Sequence, residues 1–126
     1  MKIFLILITL LFYSVNFSMA GEVDVVGVSF NNLGGGIYRF DVTLKHSDEG
    51  WNHYADKWDV VAPDGTILAT RILFHPHVNE QPFTRSLPEV KIPSNIHKVT
   101  IQAHDTIHEY GGKTIEVILS TPKTSE

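Results

Sequence analysis

The chain has 126 residues, 43% hydrophobic and 19% charged, with no cysteine and a formal charge of −4 at pH 7, and its mean hydropathy is close to zero. This is enough chain for one modest core, not for a two-domain cofactor enzyme. A net negative charge without any basic run argues against nucleic acid, whose binding needs Lys and Arg to neutralise phosphates.

The averages conceal a division. Lys2 is followed by an apolar run over residues 3–13, then a more polar stretch, then Ser18-Met19-Ala20. A charge, an apolar core and small residues are the pattern of a secretory signal. The expected organisation is a signal peptide over residues 1–20 and a single domain over 21–126, periplasmic or secreted, with no membrane segment after cleavage. The apolar run borders on the shortest spans, so retention as an anchor is the alternative. Removing 20 of the 126 residues leaves 106, and Lys2 is the only charge lost, so the balance becomes 9 basic against 14 acidic. Both methionines leave as well, and all seven histidines stay. A metal site in such a chain has only nitrogen and oxygen donors, which excludes thiolate, iron–sulfur and thioether copper(I) chemistry.

From residue 21 onward, apolar residues recur with period two between Gly and Pro turn signals, and nowhere with a helical period. The expected strands cover residues 23–30, 37–45, 57–62, 66–74, 83–87, 97–104 and 114–120. The second alternates most cleanly, with Tyr38, Phe40, Val42 and Leu44 on one face and Arg39, Asp41, Thr43 and Lys45 on the other. Pro63-Asp64-Gly65 supplies hairpin-turn chemistry. The stretch 88–96 is expected to connect, 105–112 to form a loop, and the chain from Thr121 to fray. Seven short strands predict an all-β fold, an immunoglobulin-like antiparallel β-sandwich, with Trp58 where such folds bury a tryptophan.

Strands that alternate in direction sort their connections between two poles. One pole receives the connections 31–36, 63–65 and 88–96. The other receives 46–56, 75–82 and 105–112, and with them His46, His53, His75, His77 and His108, the edge residue His104, and Asp48, Glu49, Asp56, Glu80, Asp105 and Glu109. Convergent imidazoles and carboxylates are the donors that Zn²⁺, Cu²⁺ or Ni²⁺ take. His75-Pro76-His77 is the sharpest element, because proline holds the preceding residue extended and positions i and i+2 then share a side. The expected ligands are His75, His77 and His53, with His108 or His46 as a fourth and Glu80 or Asp105 orienting an imidazole. The bland alternative for each is a solvated loop histidine, or one held by a local hydrogen bond. Trp51 and Tyr54 could wall a ligand or cap the open end of the core. Asp48 and Glu49 read equally as solvated loop acids and as ligands, and Arg85 as a partner of Glu80 or of an anion.

The segments His46-Ser47-Asp48-Glu49-Gly50-Trp51-Asn52-His53-Tyr54-Ala55-Asp56-Lys57-Trp58 and His75-Pro76-His77-Val78-Asn79-Glu80-Gln81-Pro82-Phe83-Thr84-Arg85-Ser86-Leu87 resemble those of a family of small exported bacterial proteins without assigned function. That resemblance implies a location but no chemistry. A more distant likeness is to superoxide reductases, immunoglobulin-like sandwiches whose iron is held by four histidines and a cysteine. Their His-Pro followed by Glu-His is similar to His75-Pro76 followed by Glu80-Gln81. Gln81 stands where that pattern has histidine and no cysteine exists, so the activity is not carried over.

The sequence therefore points to an exported sandwich that binds a divalent transition metal for binding, delivery or sensing. The rival is a module whose aromatic and acidic loops grip a protein partner or a glycan. A metal hydrolase or redox enzyme ranks below both, since no residue pattern fixes a nucleophile or general base.

Overall fold

The computed structural model describes residues 21–120; the expected signal peptide and the expected frayed tail from Thr121 lie outside them. Seven strands follow in chain order: β1 (Asp24–Gly34), β2 (Ile37–Lys45), β3 (Ala55–Val61), β4 (Ile67–Ile72), β5 (Phe83–Lys91), β6 (Lys98–Asp105) and β7 (Ile115–Ile118). They form two antiparallel sheets, β1-β2-β5 and β4-β3-β6-β7. Their inner faces enclose one core, the sandwich arrangement expected from the alternation. The fourth strand lies beside the third, in the four-stranded sheet.

Alternation builds the core directly. Tyr38, Phe40, Val42 and Leu44 of β2 meet Trp58 and Val60 of β3 and Val99, Ile101 and Ala103 of β6, all buried. Phe40 and Trp58 are completely enclosed, and burying such a side chain contributes about 2–3 kcal/mol.

The strand ends differ from the sequence expectation for local reasons. β1 runs on to Gly34 because Gly34, Gly35 and Gly36 all adopt positive φ and close a hairpin that pairs Asn31 with Arg39 and Asn32 with Tyr38. β5 does not stop at Leu87. It continues past Pro88 to Lys91, with its register on β2 shifting between Tyr38 and Phe40, and a strand tolerates proline at such an irregularity. β3 begins at Ala55, β4 ends at Ile72, and β7 is confined to four residues.

One fully buried charge was not anticipated. Asp59 of β3 points away from the apolar core and is sealed by donors from three segments: Thr70 Oγ1 at 2.6 Å, Gln102 Nε2 at 3.0 Å and Tyr110 Oη at 2.6 Å. Burial, reinforced by the Asp59 hydrogen bond, pushes the Tyr110 phenol above its ordinary value, so it stays a donor. This bond ties the β6–β7 loop back to the sheet, and that loop carries His108.

Candidate metal centre

Strand parity brings the first two residues of the site together. On β2 the inward positions are 38, 40, 42 and 44, and the next in phase is His46; on β6 they are 99, 101 and 103, and the next is Asp105. Each sheet thus ends its apolar stripe with a polar side chain at the same pole. His46 and Asp105 side chains are fully enclosed, with His46 Nε2 3.7 Å from Asp105 Oδ2. His53 is delivered by a tight turn in the β2–β3 loop, where His53 N donates to Gly50 O and Glu49 N donates to His53 O. His53 Nε2 lies 3.5 Å from Asp105 Oδ1, and its ring packs edge-on against His46 at 4.8 Å between centroids. His108 follows Asp105 by three residues and sets Nδ1 3.4 Å from Asp105 Oδ2. Its ring centroid is 4.9 Å from that of His53.

One ligand-type atom from each of His46, His53 and Asp105 lies within 4.8 Å of the others. These atoms are poorly satisfied by the protein. His53 Nε2, His108 Nδ1 and Asp105 Oδ2 are all buried without a hydrogen-bond partner among the described residues. Orphaned buried polar atoms cost about 1–3 kcal/mol each, so two of them within the converging His46–His53–Asp105 group, with a third on His108 beside Asp105, call for an occupant. A divalent cation fits the donor set, since imidazole and carboxylate suit Zn²⁺, Cu²⁺ and Ni²⁺.

The surrounding contacts fix the orientation of the donors. Asp48 is wholly enclosed and acts as a hub: Oδ1 accepts from His46 Nδ1 at 2.5 Å and from Ala55 N at 3.1 Å, and Oδ2 from His77 N at 2.7 Å. Such a carboxylate on the far nitrogen of an imidazole sets the ring's angle and leaves the other nitrogen for the metal. Without an ion that nitrogen, His46 Nε2, donates its proton to the carbonyl oxygen of Gly21 at 2.9 Å, and a metal would have to displace that proton. Burial opposes the His46 charge, but the Asp48 hydrogen bond, the Asp48 and Asp105 charges and the Gly21 carbonyl together raise its pKa above the ordinary value. Asp48 and Asp105 are lowered despite burial, the first by His46 and the amides of His77 and Ala55, the second by the amides of His108 and Ile107 with His108 and His46 nearby. Gln81 joins the loops, with Oε1 accepting from His46 N at 3.0 Å and Nε2 donating to His77 O at 2.9 Å.

The remaining expected ligands lie apart from this group. His75 and His77 form their own pair, 4.6 Å between ring centroids. His75 is exposed, whereas His77 is buried, stacked on Phe83 at 4.0 Å, with Nε2 accepting from Arg85 Nη2 at 2.9 Å. Its lone pair is therefore already used. Burial, then the positive charge of Arg85, hold the His77 pKa below its ordinary value. Glu80 is exposed and 3.7 Å from Arg85. Trp51 is 67% exposed and packs edge-on with Tyr54 at 5.6 Å, so it does not cap the core. His104 is held across the sheet by Asp56 Oδ1 at 2.5 Å. Sequence reasoning ranked Asp105 as an orienter and left Asp48 open between a solvated acid and a ligand. Continuing the inward parity past each strand end, 44-46-48 and 103-105, is the signal that identifies both.

Comparison with known proteins places this geometry in sparse company. No protein-family model matches the chain, and no solved structure does. A curated protein of Halomicrobium mukohataei named "Putative lipoprotein" is 40% identical over 96 residues, which is 76% of this chain and 47% of that protein. The chain therefore spans about half the length of the curated relative it matches.

Proposed function

We propose that this protein binds one divalent transition-metal ion, Zn²⁺, Cu²⁺ or Ni²⁺, at the pole formed by His46, His53, Asp105 and His108, and that it works outside the cytoplasm in metal binding, delivery or sensing. The carrying observation is that donor atoms of His46, His53 and Asp105 lie within 4.8 Å of one another, with His53 Nε2 and Asp105 Oδ2 buried and unpartnered among the described residues; His108, whose Nδ1 is 3.4 Å from Asp105 Oδ2, stands at the edge of that group. The leader-like residues 1–20 and the name of the similar protein support export to the cell envelope. Calorimetric titration with each ion is the test. His53→Ala and Asp105→Asn should each weaken binding on the order of a hundredfold or abolish it, by removing a donor, whereas His75→Ala should leave it unchanged. Loss of binding in His75→Ala alone would move the site to the His75–His77 pair.

A second reading is supported by Trp51, Phe74, Val78 and Ile107, large apolar side chains exposed on loops of this same pole. They suit docking of a protein partner. Partner binding that survives chelation would favour this reading over a metal-dependent one.

A further inference from the structure

The metal pole has one more neighbour, and it is a backbone group: the carbonyl of Gly21. Its carbonyl oxygen sits 2.9 Å from His46 Nε2, the nitrogen that would bind the ion. The segment is firmly held there. Val23 is buried in the core, Val25 N donates to Lys113 O at 2.8 Å, and Lys113 N donates to Asp24 Oδ1 at 2.8 Å. The β6–β7 loop touches it so closely that a Cβ on Gly112 would lie 1.8 Å from Val23 O, and one on Gly111 2.8 Å from Glu22 Cγ. Two glycines thus clasp residues 21–24 against the loop that follows Asp105 and carries His108. A surface depression of about 310 Å³, lined by Gly21, Glu22, Asp24, Lys45, His46 and Ser47, runs alongside this segment.

We propose that the site is completed by the amino terminus itself: hydrolysis of the Ala20–Gly21 bond frees the α-amine of Gly21, which together with the Gly21 carbonyl oxygen chelates the ion held by His46, His53 and Asp105. This rests on the metal reading above and deepens it. Hydrolysis by a signal peptidase consumes one water and leaves a carboxylate on Ala20 and an amine on Gly21. The amine and carbonyl of one residue close a five-membered ring with a metal, and nitrogen with oxygen donors matches the set already present. Gly21 offers no side chain to obstruct that approach. In the uncleaved chain the same nitrogen is an amide, whose lone pair is delocalised and which is a poor ligand. Export would thereby convert a partial site into a complete one, and metal would be taken up at full affinity only after the leader is removed.

The test compares two exported proteins, the natural chain and one carrying Thr-Gln inserted between Ala20 and Gly21, which puts a large residue at the position before Gly21 and so creates no new small-residue cleavage site there, with intact mass spectrometry defining each N-terminus. The natural chain should begin at Gly21. Titrated with Cu²⁺, the extended chain should bind on the order of ten- to a hundredfold more weakly, lose one nitrogen coupling in its electron paramagnetic resonance spectrum, and melt at the same temperature as the natural chain without metal. Equal affinity with identical spectra, or cleavage elsewhere than before Gly21, overturns the amino-terminal ligand while leaving the side-chain site intact. Absence of Cu²⁺, Zn²⁺ and Ni²⁺ binding by both proteins overturns the site and the ligand together. His53→Ala in the natural chain distinguishes specific from incidental uptake, and should remove binding.

Discussion

At His46 the alternation of β2 runs one position beyond the strand, so a polar ring occupies a place that apolar packing would otherwise fill. Its position is held by Asp48, and the two must be considered as a unit. Asp48→Asn keeps the shape but turns one of the two acceptor oxygens into an NH₂, which cannot accept either the bonds from His46 and Ala55 or the bond from His77, depending on which it faces. Metal affinity should fall on the order of ten- to a hundredfold, as for other orienting carboxylates, and urea unfolding should report a loss of about 1–3 kcal/mol from the unsatisfied buried groups. His77 shows the opposite use of burial. Its folded-state pKa lies below 6.5, so between that lowered value and 6.5 the unfolded chain binds more protons than the folded one. The His77 contribution to stability is therefore fully present above pH 6.5 and is lost as pH falls through the folded value. Nuclear magnetic resonance titration should find the His77 ring neutral at pH 7 and protonating at lower pH than free imidazole. Replacing Arg85 by Met, which removes a positive charge, should move its midpoint upward.

Among the elements, the strands were legible because period-two alternation is a property of neighbouring residues, and β2 and β6 carried it without interruption. Their ends were less so. β5 passes through Pro88 because its irregular pairing with β2 accommodates a residue without an amide donor, a fact about the partner strand and not about the segment. The clasp of Gly111 and Gly112 on residues 21–24 is likewise invisible in sequence, since it joins positions about ninety apart in the chain. Gly112→Ala tests it. The added Cβ would fall 1.8 Å from Val23 O, so the backbone must separate. We expect destabilisation of about 1–3 kcal/mol, as for other overpacked positions, together with weaker metal binding, whereas Gly65→Ala in the opposite-pole turn should leave metal affinity unchanged.

For the molecule as a whole, the candidate centre joins the two sheets: His46 ends β2 of the three-stranded sheet, Asp105 ends β6 of the four-stranded one, and His53 and His108 come from separate loops. With no cysteine, the fold has no covalent link between its sheets, and an ion at this pole would supply a noncovalent one. Free metal at 100 times its Kd should stabilise the protein by about 2.7 kcal/mol. In a domain of this size that raises Tm by roughly 10–20 °C, read by calorimetry and reversed by chelator. An unchanged Tm at saturating metal would mean that the ion binds folded and unfolded chain alike, and so not at a site that folding assembles. The sequence by itself determined the strands, the sandwich and the gathering of histidines toward one pole, because alternation and turn chemistry act over a few residues and strand direction follows from counting. Which histidines stand close enough to share an ion was decided only by the tertiary structure. Gln81 reaches His46 from 35 residues away, Asp48 ties His46 to the backbone of His77, Arg85 occupies His77, and Gly21 meets His46 only because residues 21–24 are strapped against the β6–β7 loop. Those distances are set by how two sheets pack, and no local pattern encodes them.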